Sequence, residues 1–248
     1  MIPAEFDYVR PASMHDALRI LREREGEAKI LSGGYSLLPL LKLRLAEPAL
    51  LVDLRDVDGL DGIVETDDDL RIGGRATHRQ IHEDARAARY SIVHEAAGGI
   101  GDPQVRNWGT IGGSVAHADP SSDWPAVLLA TDAAIVTHSV AGETIRRARE
   151  FFVGPFQTAI EPDEILTEVR IPRPGRGTGG SYQKLERRAG DFSTVGAGAQ
   201  VQLGADGRIE AIGIAYAAQE VAEVPHGDHD EPLDWMLTER GILRPERS

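Results

Sequence analysis

Cysteine is missing from all 248 residues. Its absence excludes structural disulfides, thiolate zinc sites, a cysteine nucleophile and an iron–sulfur cluster held by this chain alone. It fits a reducing cytoplasm. Lysine is nearly missing too: only Lys29, Lys42 and Lys184 occur among 27 basic residues. No apolar run approaches the roughly 18 residues a membrane helix needs. The opening Met1-Ile2-Pro3-Ala4-Glu5 has no basic or apolar leader region, so export is not expected. The formal net charge of −13 repels phosphate backbones, which argues against nucleic acid as a partner. No G-x-x-x-x-G-K-[ST] or H-E-x-x-H motif occurs, and no nucleophile elbow of the G-x-S-x-G type.

What is present has the composition of a folded protein, with 41% hydrophobic residues. Ser13 is a plausible helix cap, and an Ala17/Leu18/Leu21 stripe follows it, so 13–25 reads as a helix. Strands are expected at 28–31 and 50–54, and a helix at 37–45. Asp67, Asp68 and Asp69 punctuate a hairpin between 62–65 and 70–72. Helices are expected at 77–88, 90–98 and 125–130, and strands at 133–138, 144–147 and 165–171. Residues 172–180, rich in Pro and Gly, read as a linker. Strands of an antiparallel sheet are expected beyond it at 181–185, 194–203 and 209–218. Helices interleaved with short strands and hairpins indicate an α+β fold.

Two glycine-paired stretches carry the chemistry. The first is Lys29-Ile30-Leu31-Ser32-Gly33-Gly34-Tyr35-Ser36, and the second runs from Gly109-Thr110-Ile111-Gly112-Gly113-Ser114 to Asp123. Each is expected where a strand ends. Glycine permits close backbone approach and positive φ, and consecutive N–H groups in such a turn form an anion-binding concavity. Ser36 and Thr110 add hydroxyls. A Gly-Gly pair alone serves equally as a tight turn; two of them with the same accompaniment fit a grip on the two phosphates of a dinucleotide. Neither stretch is a Rossmann fingerprint.

The runs Ser32–Pro48 (SGGYSLLPLLKLRLAEP) and Asp102–Ser114 (DPQVRNWGTIGGS) resemble the FAD-binding medium subunits of carbon monoxide dehydrogenase and related aerobic molybdenum hydroxylases. The segments Phe6-Asp7-Tyr8-Val9-Arg10-Pro11, Leu51-Val52-Asp53-Leu54-Arg55 and Thr158-Ala159-Ile160-Glu161-Pro162 match in the same order. The resemblance covers residues 1 to about 218.

That resemblance implies a two-subdomain FAD-binding fold of the vanillyl-alcohol oxidase (PCMH) type, with subdomains at 1–57 and 58–175. It also implies a C-terminal α+β domain at 176–248, shortened or divergent after about 218. It implies FAD bound by Lys29, Ser32, Gly33, Gly34, Tyr35 and Ser36 on one side, and by Thr110, Gly112, Gly113 and Ser114 on the other. Ile100, Ala116, Ser122 and Leu166 would line the cofactor and Asp123 would hydrogen-bond it. Lys184 would approach the isoalloxazine ring, where a cation stabilises reduced flavin. Phe192 stands where related carbon monoxide dehydrogenases have Tyr, and Ser114 where the family often has Asn.

The resemblance further implies a molybdopterin-containing large subunit and a small subunit with 2Fe–2S clusters as partners. Electrons would leave to quinone, NAD or oxygen. No residue of this chain is then expected to act as an acid–base catalyst or to ligate a metal. A self-sufficient flavin oxidoreductase of the same fold and a non-catalytic assembly subunit are the alternatives.

Weaker signals point elsewhere. His78 and His82 have metal-ligand spacing, i and i+4, but no third ligand, and read as exposed helix histidines. The cluster His226, Asp228, His229, Asp230 and Glu231 reads as a solvated acidic tail, with a helical stripe at most at 233–237. Asp119 is read as shaping its loop, and His117 either faces a ligand or caps a turn. The altered tail would leave the third domain's sheet partly uncovered and weakly stable unless another chain completes it.

Overall fold

The computed structural model describes residues 2–203, 212–214, 235–238 and 241–243. It comprises two compact units, Met1–Pro174 with Gly180–Gln200, and Gly175–Gly179 with Val201–Ser248.

The first unit begins with a small parallel sheet in the order β1-β3-β2, from β1 (Asp7–Val9), β2 (Ala28–Leu31) and β3 (Leu50–Asp53). Helix α1 (Met14–Glu23) follows β1; Ser13 caps it, its Oγ accepting from the Asp16 N–H at 3.1 Å. Ala17, Leu18 and Leu21 are its buried face, as the stripe foretold. They pack on Leu50, Val52, Leu54 and Ile165. The central strand β3 is buried along its whole length, which is why it reads as an unbroken apolar run ending in Asp53. Helix α2 (Leu37–Lys42) follows the first glycine turn.

The larger part of the unit is a five-stranded antiparallel sheet, in the order β4-β5-β10-β6-β7. Its strands are β4 (Ile63–Glu65), β5 (Asp69–Gly73), β6 (Ala134–Ser139), β7 (Gly142–Arg147) and β10 (Ile165–Pro172). Five helices lie in sequence between β5 and β6: α3 (His78–Glu83), α4 (Ser91–Gly99), α5 (Pro103–Trp108), α6 (Ile111–His117) and α7 (Trp124–Ala130). The apolar faces of α3, α4, α6 and α7 share a core with the sheet, centred on Ile72, Ile81, Trp124, Ile135 and Val169, whereas α5 buries none of its residues. A short helix α8 (Ala148–Phe151) and the ribbon β8 (Phe152–Gly154) with β9 (Gln157–Thr158) complete this part.

Several elements differ from expectation. Helix α3 stops at Glu83 rather than 88, because Asp84 turns extended and its carboxylate accepts from the N–H groups of Arg86 and Ala87 instead. The second glycine stretch does not follow a strand: α5 precedes it and α6 runs through Gly112 and Gly113. Thr110 is the cap, accepting from the Gly113 N–H at 3.2 Å. Strand β11 (Thr178–Leu185) starts inside the expected linker and pairs with β12 (Val195–Gln202). Residues 175–180 carry the letters G-x-G-x-x-G, but they lead into β11 and not into a helix, so they are no dinucleotide fingerprint.

In the second unit, β13 (Ile212–Ile214) runs parallel to β14 (Trp235–Thr238), and β14 pairs antiparallel with β15 (Gly241–Leu243). Residues 235–237 are therefore strand and not helix. The rest of the 209–218 segment, Leu233 and the cluster from His226 to Glu231 lie outside the described residues.

Candidate cofactor site

The two glycine stretches face one another. Gly33 lies so close to the end of α5 that a Cβ on it would fall 2.1 Å from the Trp108 carbonyl oxygen. Ser32 Oγ and Thr110 Oγ1 are 3.0 Å apart and bridge the two stretches. Together they border a cavity of about 900 Å³, at the large end of the roughly 300–1,000 Å³ range of small-molecule sites.

The two walls differ in what they offer. Among the described residues, no protein acceptor engages the backbone N–H groups of Gly33, Gly34, Tyr35 and Ser36. Gly34 has φ of +92°, a conformation glycine adopts without strain. The opposite wall has no spare amides from 111 to 114. Ile111 donates to Ala76 O, Gly112 to Gly74 O, Gly113 to Thr110 Oγ1 and Ser114 to Thr110 O. That wall presents hydroxyls instead, with Ser114 Oγ 2.8 Å from Ser122 Oγ.

All but one of the expected site residues border this cavity. Lys29 and the turn residues Ser32, Gly33, Gly34, Tyr35 and Ser36 form the first wall. Thr110, Gly112, Gly113, Ser114 and Ala116 form the second. Ile100, Ser122, Asp123, Leu166 and Phe192 close the remaining sides, Phe192 with 67% of its surface exposed.

The exception is Lys184, which stands behind the wall. Its Nζ lies 3.6 Å from Asp123 Oδ1 and 3.1 Å from Glu186 Oε2, and donates to the Asp191 carbonyl at 3.1 Å. Tyr182 donates to the same Asp123 oxygen at 2.7 Å. Burial pushes the Asp123 carboxyl above its ordinary range, while Tyr182 and Lys184 pull it part of the way back. Burial and the neighbouring Asp123 also push the Tyr182 hydroxyl up. Lys184 therefore reaches the cavity through the carboxylate it steadies. Asp119 shapes the loop before Asp123, accepting from the Ser121 N–H at 2.8 Å. His117 borders the cavity, its ring 5.2 Å from that of Phe156.

Two further cavity residues escaped the sequence reading. Glu164 is held by a bidentate pair with Arg146, at 3.0 to 3.2 Å, and accepts from the Glu161 N–H at 3.0 Å. Burial raises its carboxyl, but the Arg146 guanidinium, the Glu161 N–H and Thr137 together more than offset that, and the net shift is downward. His78 is 3% exposed, not a surface histidine. Burial, with the Arg106 charge, pushes its imidazole down to about 3. The signal for it was available: His78 lies three residues before the buried Ile81, on the inner face of α3.

These features suit a dinucleotide. Free amides and glycines that let backbone approach closely fit a diphosphate, and the apolar Ile100 and Leu166 suit a ring system. A protein-family profile described as "FAD binding domain in molybdopterin dehydrogenase" matches residues 4–174. The chain belongs to this family. FAD is the cofactor of the domain, the fold is the mixed helix-and-strand FAD-binding fold, and the chain is an oxidoreductase subunit.

The chain is 46% identical over 198 residues to the carbon monoxide dehydrogenase medium chain of Afipia carboxidovorans, covering 79% of this chain and 69% of that one. It is 36% identical over 245 residues to the glyceraldehyde dehydrogenase medium chain of Sulfolobus acidocaldarius, covering 98% and 83%. That likeness continues past residue 218, further than the resemblance had indicated. Among solved structures, reconstituted CO dehydrogenase from Oligotropha carboxidovorans aligns with a TM-score of 0.81 at 41% identity, covering 85% of this chain and 74% of that one. No helix among the described residues is long and apolar enough to cross a membrane.

Proposed function

We propose that this chain is the FAD-binding electron-transfer subunit of a heteromeric molybdenum hydroxylase working in the cytoplasm. Its partners are a large subunit with molybdopterin, which oxidises the substrate, and a small subunit with 2Fe–2S clusters. Electrons arrive from those clusters and leave to quinone, NAD or oxygen. Bound FAD supplies the electron exchange; the protein supplies position and electrostatics. The bounds 1–57, 58–175 and 176–248 describe its two cofactor subdomains and its third domain.

Each residue then has a task. The open amides from Gly33 to Ser36 hold the diphosphate, and Ser32 and Thr110 tie the two walls together across it. Lys29, Gly112, Gly113, Ser114, Ala116 and Ser122 shape the walls, and Ile100 and Leu166 exclude water from the ring system. Asp123, oriented by Tyr182 and Lys184, accepts a hydrogen bond from the cofactor. Phe192 stacks at the open side, where its exposure leaves a route for the electron acceptor.

The observation that carries this reading is the single cavity wall of unpaired amides set within a domain of the FAD-binding family. The purified full chain should bind FAD in a one-to-one ratio. Mixing with a reduced 2Fe–2S small subunit should bleach the flavin absorbance. A chain that oxidises a small organic substrate unaided would be a self-sufficient flavoenzyme. A chain that recruits both partners yet never takes up FAD would be an assembly subunit. Either result overturns the proposal.

A further inference from the structure

His78 has a geometry that its place on a short helix does not require. The indole N–H of Trp124, itself fully buried, donates to His78 Nδ1 at 3.2 Å. An indole nitrogen can only donate, so Nδ1 is the acceptor and the proton of a neutral ring sits on Nε2. Among the described residues, no acceptor meets that Nε2–H. Yet the ring borders the cavity. The ring edge carrying Nε2 also lies against Gly109, where an added Cβ would come within 2.9 Å of Nε2. Gly109 is in turn the residue whose Cα stands 3.0 Å from the place a Cβ on Gly33 would occupy. The unpartnered donor therefore sits at the seam of the two glycine stretches. Arg106 adds positive charge nearby while donating to the carbonyls of Ile100 and Gly101 at 3.0 and 2.8 Å.

We infer that His78 is a binding residue for the diphosphate of the dinucleotide, donating through Nε2–H, and that Trp124 is the positioning residue that fixes its tautomer. The inference rests on FAD occupying this cavity and adds a donor to the second wall, whose own amides from 111 to 114 are spent. Nε2 is not sealed off but open to the cavity, where a phosphate oxygen would give it a charge-assisted bond, stronger than one to a neutral acceptor. Glycine at 109 fits the same purpose, since any side chain there would crowd the imidazole.

The test uses the full chain, with FAD, ADP and riboflavin as separate probes. ADP carries the diphosphate without the flavin, and riboflavin the reverse. His78→Phe should weaken both FAD and ADP by roughly tenfold or more, the scale of a hydrogen bond to a charged group, and leave riboflavin unchanged. His78→Gln, which keeps a donor at the reach of Nε2, should recover most of that loss. In the unaltered chain, nitrogen-15 NMR should show the assigned His78 ring protonated at Nε2, with a proton resonance that moves on adding FAD or ADP and not riboflavin. The inference is overturned by unchanged FAD and ADP affinity in His78→Phe, by an Nδ1-protonated ring, or by an Nε2–H resonance indifferent to ADP. Because the NMR measurement needs no substitution, it decides the matter even where His78→Phe misfolds. Failure of the unaltered chain to bind FAD at all would instead sink the assignment of the cavity itself.

Discussion

The two Gly-Gly pairs look alike in the sequence and do different work. At Gly33-Gly34 the backbone turns, and four successive N–H groups face no protein acceptor among the described residues. At Gly112-Gly113 the backbone is helical and every N–H from 111 to 114 is paired within the protein. Gly112 is there because α6 packs backbone to backbone on Gly74: a Cβ would fall 2.5 Å from the Gly74 oxygen. Helical glycine costs roughly 1 kcal/mol against alanine, so tertiary packing overrides local propensity here. One pair leaves its amides open at the cavity; the other lets a helix come close enough to make the opposing wall.

The sharpest way to break this contrast is to add a methyl group to each wall. Gly112→Ala forces α6 away from Gly74 and should cost about 3 kcal/mol of unfolding free energy, as overpacked cores do. Gly33→Ala collides with the Trp108 carbonyl in the turn that holds the free amides. It should lower FAD affinity on the order of a hundredfold, about 3 kcal/mol. Denaturant unfolding and flavin titration on both variants separate the two effects. The contrast is inverted if Gly112→Ala loses FAD at unchanged stability while Gly33→Ala unfolds easily and binds FAD normally.

The next largest effect concerns acid. His78 is neutral in the fold and its pKa is depressed to about 3, whereas the unfolded chain takes up a proton near 6.5. Its stabilising contribution is therefore complete above pH 6.5 and is lost as pH falls toward 3. By pH 5 the loss is about 2 kcal/mol. His78→Gln, which has nothing to protonate, should flatten the fall in melting temperature between pH 6.5 and 5. An unchanged slope would mean that the imidazole takes up its proton alike in the folded and the unfolded chain. Glu164 acts in the same direction lower down: its pKa is depressed, so its pairing with Arg146 contributes above the ordinary carboxylate range and is lost below it.

How much of this was legible in the sequence follows from how local each signal was. Ser13 and the Ala17/Leu18/Leu21 stripe act within one or two turns of chain, and the helix they announce is present. The alternation in 165–171 and the hairpin aspartates set the sheet by short-range rules, and β10 and β5 formed as expected. The helix through Gly112 was not legible, because its cause is Gly74, distant in sequence. The meeting of Lys184 with Tyr182, two residues earlier on the same strand, at Asp123 was not legible either. The carboxylate satisfies both groups. Chain-distant partners of this kind leave no periodicity to read.

Smaller effects should come from the contact that joins the walls. Thr110 both caps α6 and meets Ser32 across the cleft, so Thr110→Ala should cost about 1 kcal/mol for the cap, with the cross-wall bond lost in addition. Ser32→Ala removes only the cross-wall bond and should cost roughly 0.5–1 kcal/mol. A double variant losing no more than Thr110→Ala alone would show the bond as the shared quantity. Fully additive losses would deny that the hydroxyls interact.

Gly113→Ala should change stability least of all, and it isolates what the second glycine of the pair contributes. Gly113 lies in α6 one residue after the packing glycine, and its only close neighbour among the described residues is Thr110 Oγ1, 2.9 Å from an added Cβ. That neighbour is a side-chain hydroxyl able to shift, unlike the fixed carbonyl beneath Gly112. Alanine restores about 1 kcal/mol of helix propensity, and displacing the Thr110 hydroxyl forfeits about 1 kcal/mol of capping. The two nearly cancel, so unfolding free energy of the FAD-free chain should stay within about 1 kcal/mol of the unaltered protein. A loss as large as that of Gly112→Ala would mean that both glycines pack against backbone, and that the division of labour between the two walls is drawn at the wrong residue.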